Sequence, residues 1–422
     1  MTVAPRDIEQ IVLAVRRAAE TGHTVKPIGA SHSFTGIGAT EGLRLDMSRL
    51  RGLVDVDLER DRVTLWAGTH LWELPGILNP LGLALENMGD VDRQTISGAT
   101  STGTHGTGLA IGGLASRVVG ATLVTGLGEV LAVGDTGNGE TENAELLPAV
   151  ALGLGALGVL ATVTLQCVPR YLLRAVEQPM PLETVLAEFE GRSRASDHFE
   201  FFWFPHTEGA RTKTNTRLPL SAGARPLRAA SRLVDEELVN NAVFGALVGL
   251  ERWAPATTPR INRMIESVSS RREYSDESHR VFITRRRVRF REMEYSVPLA
   301  AVPEAIRELR ALIERRGFRV SFPIEVRSAA ADPLWLSTGH ARESGYIAVH
   351  RYFRDPDREY FREAEAILAA HEGRPHWGKM HTLGAAELRE RYPRFDDFLA
   401  VRERLDPGRL FANPYLERVL GE

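Results

Sequence analysis

A run of small polar residues between Ile96 and Gly108 is the segment of the chain whose composition indicates chemistry most directly. Ten of its thirteen residues are Gly, Ser or Thr. Glycine lets the main chain approach a ligand closely, and clustered hydroxyl and N–H groups can bind phosphate oxygens without a formal charge. The run lacks the Gly-Lys-Ser/Thr end of a phosphate-binding P-loop. We interpret it as a pyrophosphate-binding segment, with a flexible linker as the alternative.

A second candidate is His32, in the turn of small residues that runs from Gly29 to Ser33. Small neighbours expose the imidazole, and a neutral imidazole is nucleophilic enough to bond covalently to an electrophilic carbon of a cofactor. A lone histidine in a turn is most often polar surface. Its combination with the small-residue run at Ile96–Gly108 favours the covalent interpretation.

Glu325 and Arg327 form the third candidate group. They stand two residues apart in a predicted strand, so both side chains project from one face of it. Their pairing would hold a planar guanidinium ready for substrate oxygens, and an exposed ion pair is the alternative. His350 and Lys379 add two polar groups that can hydrogen-bond a polyol or a lactone. Lysine occurs only three times in the chain, so Lys379 beside a polar motif is notable.

The segment Gly153–Gly158 satisfies the G-x-G-x-x-G spacing of a dinucleotide-binding loop. That loop needs a strand before it and a helix after it, so that a helix N-terminus faces the pyrophosphate. Here a predicted helix precedes the glycines and a β-branched strand follows them. The sequence therefore argues against a nicotinamide cofactor at this position.

Composition restricts the class of protein. The chain has 422 residues, of which 43% are hydrophobic and 25% are charged, as in an ordinary globular protein of two or three domains. The formal net charge of −3 gives no electrostatic argument for binding nucleic acid or an anionic membrane surface. We interpret the basic run Arg285–Arg289 as a solvated strand face.

The single cysteine, Cys167, excludes an intramolecular disulfide, and the first residues lack the apolar core of a secretory signal. The most apolar helical stretch, Val239–Leu250, is too short to cross a bilayer. We therefore expect a cytoplasmic protein without a membrane span. We also expect no bound metal.

Hydrophobic periodicity divides the chain near Pro169. Before this residue, short elements alternate with Gly-rich turns and show no repeated βαβ period, which indicates an α+β layout. The predicted helices there are Asp7–Glu20, His70–Leu78 and Ala144–Leu152, and the predicted strands are Leu43–Asp46, Leu53–Val56, Arg62–Ala67, Val118–Val124, Glu129–Val133 and Val159–Val168. The strands Val118–Val124 and Glu129–Val133 form a predicted hairpin.

After Pro169 the predicted elements are longer and amphipathic. They comprise His198–Phe204, Ala210–Arg217, a long helical region at Arg228–Trp253, strands at Val281–Glu292, Arg319–Arg327 and Tyr346–Tyr352, and helices at Ala301–Arg315, Glu359–Ala370 and Phe395–Leu405. This order of elements indicates a sheet covered by helices on one face.

Several motifs, in order along almost the whole chain, together resemble the aldonolactone and alditol oxidases, which are members of the vanillyl-alcohol-oxidase class of flavoenzymes. The motifs are Pro27–Phe34, Ile96–Gly108, Gly155–Val159, Glu325–Arg327, Ala330–Ser337 and Arg374–Lys379. Within the class, Tyr346–Tyr352 and His371–Trp377 are most similar to bacterial gulono- and arabinono-1,4-lactone oxidases. The set is highly specific, although no single motif is.

The resemblance implies an α+β fold with a two-lobed FAD-binding domain of the vanillyl-alcohol-oxidase (PCMH) type and a substrate-binding cap domain. It assigns residues 1–169 to the FAD-binding domain and residues 170–370 to the cap. Residues 371–422 would form a C-terminal segment that returns to the FAD-binding domain and places Lys379 at the active site.

The resemblance also implies FAD linked covalently through His32, at the flavin 8α-methyl carbon. The residues expected to bind the cofactor are Gly29, Ala30, Ser31, His32, Ser33, Ser97, Gly98, Thr100, Ser101, Gly103, Thr104, His105, Gly106 and Val159. The expected catalytic residues are Glu325, Arg327, Lys379 and His350. Arg327 would contact substrate oxygens, Glu325 would orient Arg327 and bind a substrate hydroxyl, and Lys379 would meet the reacting hydroxyl or the flavin edge.

The implied reaction is hydride transfer from a sugar-derived alcohol to flavin N5, with an aldono-1,4-lactone oxidised at C2 and O2 reduced to H2O2. Three alternatives remain open: an alditol oxidase, a lactone dehydrogenase that passes electrons to a carrier protein, and a flavin-binding protein without turnover. The expected partners are a sugar lactone or polyol and an electron acceptor.

Overall fold

A computed structural model describes residues 1–136, 141–228, 244–268, 270–284 and 288–421. Up to Pro169 its strands are β1 (Thr2–Val3), β2 (Val25–Ile28), β3 (Leu43–Asp46), β4 (Leu53–Asp57), β5 (Arg62–Trp66), β6 (Leu83–Ala84), β7 (Val118–Val124), β8 (Val130–Asp135), β9 (Thr141–Glu142), β10 (Val159–Gln166) and β11 (Val168–Pro169). The α-helices of this region are Ile8–Glu20, Leu74–Leu78, Ile96–Ser101 and Leu147–Val150.

The first helix packs on a small parallel sheet of order β1-β3-β2. Its apolar residues recur at helical spacing, so Ile11, Val15 and Ala18 face the same side and are buried. Asp7 caps the helix, because its carboxylate accepts a hydrogen bond from the backbone N–H of Gln10 at 2.8 Å. The predicted helix at the start of the chain is confirmed.

A second sheet has the order β4-β5-β10-β7-β8-β9, with antiparallel pairing throughout. β-branched residues dominate β10, its central strand, as is typical of a strand with both faces covered. The predicted hairpin is confirmed, with Val124 opposite Val130. Within the described residues no βαβ repeat links these strands, so the α+β layout is confirmed as well.

The small-residue run is less irregular than its composition suggests. Its first six residues form the helix Ile96–Ser101, and the side chain of Thr95 caps it by accepting a hydrogen bond from Gly98 N–H at 3.3 Å. Gly, Ser and Thr have low helix propensity, so this turn depends on its cap and on the burial of Ile96 and Ala99. The predicted helices His70–Leu78 and Ala144–Leu152 each begin with a 3-10 turn and are α-helical only over Leu74–Leu78 and Leu147–Val150.

After Pro169 one antiparallel sheet of eight strands dominates, in the order β15-β12-β14-β13-β17-β18-β16-β19. Its strands are β12 (Leu172–Pro181), β13 (His198–Trp203), β14 (Gly209–Leu218), β15 (Arg272–Glu277), β16 (Phe290–Pro298), β17 (Ile324–Ala329), β18 (Ser344–Tyr352) and β19 (Arg374–Pro375). Helices Leu182–Ala195, Val302–Arg316 and Arg358–Ala370 pack against one another and against this sheet, as the predicted helix-covered sheet requires.

Two predictions in this region are wrong in detail. The stretch Val281–Glu292 is not described as one strand: the helix Ser278–Phe282 overlaps its start, and strand β16 begins at Phe290. Residues 285–287 of the predicted basic strand face lie outside the described residues. The predicted strand at Arg319–Arg327 begins later, at Ile324. Of the predicted helical region Arg228–Trp253, the structure describes the helix Phe244–Trp253, and residues 229–243 lie outside the described residues.

Two further helices, Thr258–Ser267 and Ser278–Phe282, belong to this region, and the chain ends in the helices Ala385–Arg391, Phe395–Leu405 and Pro414–Leu420. None of the helices in the described ranges combines the length and the apolar composition needed to cross a bilayer.

The last fifty residues contact the first region closely. The backbone N–H of Val25 donates to the carbonyl of Leu410 at 2.7 Å, and Lys26 Nζ donates to the carbonyl of Phe411 at 3.1 Å. Asn413 Nδ2 lies 3.0 Å from the carbonyl oxygen of Gly36. These contacts hold the segment that carries Lys379 against the strand and turn that carry His32.

Candidate active site

A cavity of about 340 Å³ opens in the first region between the end of β2, the small-residue run and the turn before β10. The expected cofactor-binding residues that line it are Gly29, Ala30, Ser31, His32, Ser33, Ser97, Gly98 and Ser101. Gly155 and Gly158 line it too. Their segment lies between a helix and β10, which confirms that its context is not that of a Rossmann loop.

Six expected cofactor-binding residues lie outside this lining. Thr104 and His105 line a second cavity, described below. Thr100 is buried, and its hydroxyl donates to the carbonyl of Ile96 at 3.0 Å. Val159 is buried in the core, and its chain neighbours Gly158 and Leu160 line the first cavity. Gly103 lies in the turn that ends the helix Ile96–Ser101.

Two expected residues are glycine because the backbone approaches a neighbour closely. A Cβ atom on Gly29 would lie 2.2 Å from Thr95 Oγ1. One on Gly106, which also lies outside the lining of the first cavity, would lie 2.3 Å from the carbonyl oxygen of Met88. Only glycine fits at either place without displacing its neighbour.

His32 lies where the two cavities meet, and it lines both. Desolvation by the surrounding atoms lowers the pKa of its imidazole, and the charges of His70 and Arg93 lower it further. The ring is exposed and neutral at pH 7, which is the form that can act as a nucleophile. Ser31 beside it has a positive φ of 56°, so the turn is held in an uncommon conformation.

The second cavity, of about 150 Å³, lies between the first region and the eight-stranded sheet. Both cavities share His32, Ser33, Gln94 and Thr102 in their linings. The second is also lined by Asp90, Thr104, His105, Phe290, Glu292, Glu294, Glu325, Arg327, His376 and Lys379. Residues far apart in the sequence therefore converge on the space next to His32.

Arg327 is held by carboxylates in this cavity. Its Nε lies 3.0 Å from Glu200 Oε2, and its Nη2 contacts Glu325 and lies 3.5 Å from Asp90 Oδ1. Burial alone would lower the pKa of Arg327, but the carboxylates hold it well above its usual value. The expected pairing of Glu325 with Arg327 is present, and it is buried rather than exposed.

Lys379 forms the second cationic group of the cavity. Its Nζ lies 2.5 Å from Glu292 Oε2 and 5.4 Å from the ring centre of Phe34. Burial would raise the pKa of Glu292, but the charge of Lys379 and the neighbouring His350 lower it to about 2. Burial would lower the pKa of Lys379, but Glu292 and Glu294 raise it. The pair is therefore ionised at neutral pH.

His350 does not line the cavity. It is buried behind Glu292, with Nε2 3.6 Å from a carboxylate oxygen of Glu292 and Nδ1 3.0 Å from the carbonyl oxygen of Pro323. The sequence predicts that His350 contacts substrate. Its position behind Glu292 instead suits a side chain that supports Glu292.

Glu294 accepts a hydrogen bond from His105 Nε2 at 3.2 Å, and the ring of His105 stacks on Tyr346 with centres 3.7 Å apart. Burial would raise the pKa of Glu294, but His105 and Lys379 lower it well below its usual value. Burial lowers the pKa of His376 to about 4, so this ring is neutral. Gly378 N–H donates to His376 Nδ1, which leaves the proton on Nε2. His105, Glu294 and His376 thus form one buried polar cluster, with their ligand atoms within 4.8 Å of one another.

Sequence reasoning missed Asp90, Glu200, Glu292 and Glu294. A signal for two of them was present, because Glu292 and Glu294 alternate along one strand as Glu325 and Arg327 do. Asp90 and Glu200 carry no comparable local signal, since only the tertiary fold places them beside the guanidinium.

Comparisons with known proteins identify the family of the chain. The profile of D-arabinono-1,4-lactone oxidase matches residues 163–419, and that of the FAD binding domain matches residues 1–134. L-gulono-1,4-lactone dehydrogenase of Mycobacterium tuberculosis is 41% identical over 99% of this chain and 95% of its own. L-gulonolactone oxidase of Bos taurus is 33% identical over 99% of this chain and 94% of its own.

Among solved structures, cholesterol oxidase from B. sterolicum superposes with a TM-score of 0.81. It shares 18% sequence identity, and the match covers 99% of this chain and 94% of that one. At this identity the likeness shows the fold alone, which is the vanillyl-alcohol-oxidase type that the sequence implies. The chain belongs to the D-arabinono-1,4-lactone oxidase family of FAD-dependent oxidoreductases.

Proposed function

We propose that this protein oxidises an aldono-1,4-lactone, of the gulono or arabinono type, at C2, with FAD attached covalently to His32 and O2 as the electron acceptor. One observation carries the proposal: a cavity lined by small and hydroxyl-bearing residues meets, at His32, a second cavity lined by Arg327 and Lys379. The family profiles support the same reaction class.

The residues that line the first cavity are of types that suit FAD. Gly29 and Gly98 bring the backbone close to the space, and Ser97 and Ser101 add hydroxyl groups. No Arg and a single Lys, the buried Lys26, are among its lining residues, so the pyrophosphate would be bound mainly by N–H and hydroxyl donors. The described residues therefore fit the cofactor.

The position of His32 at the junction of the two cavities supports the covalent link. His32 would hold FAD through its 8α-methyl carbon, and dioxygen would accept the two hydrogen atoms lost when that bond forms. The lowered pKa of His32 keeps the ring neutral and nucleophilic at pH 7. The link would prevent loss of the cofactor and tune its potential.

Bound FAD would supply the acceptor for the hydride that leaves the substrate carbon. Arg327 binds substrate oxygens, while Glu325 orients its guanidinium. Lys379 Nζ, kept protonated by Glu292, stabilises the negative charge that develops on the reacting oxygen. Both cations are held by buried partners, so they need little rearrangement as that charge develops.

We also propose a division of the chain into an FAD-binding domain (1–169), a cap (170–370) and a returning segment (371–422). The separate sheets on either side of Pro169 support the first boundary. The hydrogen bond from Phe34 N–H to the carbonyl of Gly378, at 2.7 Å, supports the return of the last segment.

A second candidate is a lactone dehydrogenase that uses a carrier protein in place of O2. The observation that favours it is the name of the mycobacterial relative, which is a dehydrogenase. The two candidates share every residue of the site and differ only in how reducing equivalents leave it.

The test begins with anaerobic mixing of the purified protein with L-gulono-1,4-lactone and, separately, with xylitol. Bleaching of flavin absorbance by the lactone supports the proposal, and bleaching by xylitol alone identifies an alditol oxidase. Rapid return of colour in air marks an oxidase, whereas return only with cytochrome c marks a dehydrogenase.

The covalent link is tested by acid precipitation. Colour should stay with the wild-type polypeptide and wash out of His32→Ala, while the control variant His23→Ala should keep it. Colour that washes out of the wild type disproves the link through His32.

A further inference from the structure

A row of alternating charges crosses the large sheet and ends at Arg327. Arg272, Glu177, Lys213, Glu200 and Arg327 are direct partners across the adjacent strands β15, β12, β14, β13 and β17. Residues directly opposite one another in neighbouring strands point to the same face of a sheet. The five side chains therefore form one line that leads from the sheet edge to the active-site cavity.

Only the edge residue of this row is substantially exposed, since the side chain of the second residue, Glu177, already retains just 6% of its accessible surface. The Arg272 side chain retains 27% of its accessible surface, whereas Lys213, Glu200 and Arg327 retain 11%, 10% and 11%. Arg272 lies 2.9 Å from Glu177, Lys213 lies 3.6 Å from Glu200, and Glu200 lies 3.0 Å from Arg327. The cavity end of the row is thus shielded from water, where such contacts are strongest.

The contacts of Arg327 use one edge of its guanidinium. The closest approach of Glu200 is to Nε, and those of Glu325 and Asp90 are to Nη2. Nε and Nη2 form the same side of the planar fork, and none of these closest contacts involves Nη1. Arg327 lines the cavity, and carboxylates along this edge fix the plane of its guanidinium.

Stability alone does not explain the arrangement. A buried ion pair is weak support for stability, because the cost of desolvating both charges can exceed their attraction. Glu200 does not line the cavity, so it cannot meet substrate itself. From its position behind the cavity, the carboxylate of Glu200 can act on substrate only by fixing the orientation of the Arg327 guanidinium.

We propose that Glu200 is a positioning residue that orients the guanidinium of Arg327 for substrate, and that Lys213 holds Glu200 in place. Lys213 is anchored in turn by donating a hydrogen bond to the carbonyl of Val281 at 2.9 Å. This inference rests on the proposed role of Arg327 in binding the lactone.

The first measurement is the rate of flavin reduction by L-gulono-1,4-lactone without oxygen, as a function of lactone concentration. A misplacement of about 1 Å can cost about 100-fold in rate, so we expect the limiting rate of Glu200→Gln to fall 10- to 100-fold. Lys213→Met should show a smaller loss, and Lys213→Arg should recover most of it.

The matched control is Glu273→Gln, which removes an acid of the same sheet that pairs with the exposed Arg174. It should react like the wild type. If Glu200→Gln and Lys213→Met both react within twofold of this control, the proposal is wrong.

A second measurement does not depend on turnover. In protein labelled with ¹⁵N-arginine, the Nε–H signal of Arg327, identified by its loss in Arg327→Lys, should exchange slowly with water because Glu200 accepts from it. Glu200→Gln and Lys213→Met should speed that exchange, and an unchanged signal in both overturns the proposal. If the exchange changes as expected while the wild type is not reduced by any lactone, the positioning role stands and the proposed function fails.

Discussion

Lys379 and Glu292 form an ion pair across the junction of the two halves of the chain, with Nζ and Oε2 2.5 Å apart. Lys379 belongs to the segment that packs against the turn of His32, whereas Glu292 lies on strand β16 of the large sheet. The pair therefore joins Lys379 to the sheet that carries Arg327.

Removing one partner of this pair should cost more than removing both. Lys379→Met leaves the buried carboxylate of Glu292 unpaired, and we expect a loss of about 3 kcal/mol in the free energy of unfolding. Adding Glu292→Gln should recover most of that stability in urea unfolding. Flavin reduction by the lactone should stay at least about 100-fold slow in both variants, because the group that stabilises the oxygen is absent. Recovery of the rate in the double variant would contradict the role of Lys379.

The glycine at position 106 offers a test of backbone packing. Gly106→Ala would place a methyl group 2.3 Å from the carbonyl oxygen of Met88, which cannot rotate away. We expect a loss of about 2 kcal/mol in the free energy of unfolding and lower FAD content. Gly191→Ala is the matched control, because this exposed helical glycine has nothing within 4 Å of the new methyl group. That control should gain about 0.5 to 1 kcal/mol. Equal effects would show that the close approach at Gly106 is unimportant.

Some features of the site were readable in the sequence because they are local. Strand periodicity placed Glu325 and Arg327 on one face, and the structure confirms their contact. The three lysines of the chain all lie at or near the two cavities. Lys379 lines the second cavity, Lys26 lines the first, and Lys213 lies in the charged row behind Arg327.

Other features depend on strand order, which no local pattern encodes. Glu200 lies beside Arg327 only because β13 pairs with β17, more than a hundred residues away. Asp90 reaches the same guanidinium from the other half of the molecule. The short helix at Ile96–Ser101 was missed because its residues are poor helix formers and its cap and core contacts stabilise it.

Buried histidines make the stability of the fold depend on pH. Burial and the charge of Arg418 lower the pKa of His381 to about 3, and its Nε2 lies 2.9 Å from the hydroxyl of Tyr415. An unfolded histidine has a pKa of about 6.5, so between these values the unfolded chain binds a proton that the folded chain does not. Stability contributed by the neutral ring is therefore complete above about pH 6.5 and decreases as the pH falls towards 3.

We expect His381→Gln to lose this contribution. Between pH 6 and pH 4.5 the free energy of unfolding should decrease less steeply in the variant than in the wild type, by up to about 1.4 kcal/mol per pH unit. Urea unfolding at several pH values measures both slopes. Identical slopes would show that His381 titrates alike in the folded and unfolded chains.

The charges of the second cavity predict which form of the sugar acid is accepted. Arg327 and Lys379 each contact a carboxylate, and Asp90 and Glu294 add two further acids to the lining. An anionic ligand would meet these acids and would have to displace one of them from its cation, which disfavours binding. We therefore expect the neutral L-gulono-1,4-lactone to reduce the flavin, and the open-chain L-gulonate to leave it oxidised and to inhibit weakly.

Glu292→Gln should reverse part of that discrimination. It removes the negative charge beside Lys379 and keeps the size of the side chain, so the ammonium becomes available to a carboxylate. Gulonate should then inhibit lactone-dependent reduction about tenfold more strongly than in the wild type, and added salt should weaken the inhibition because the attraction is electrostatic. Glu273→Gln, at an exposed position of the same sheet, should leave gulonate inhibition unchanged. Reduction of the wild-type flavin by gulonate as fast as by the lactone would mean that a cation in the cavity is free to bind anions.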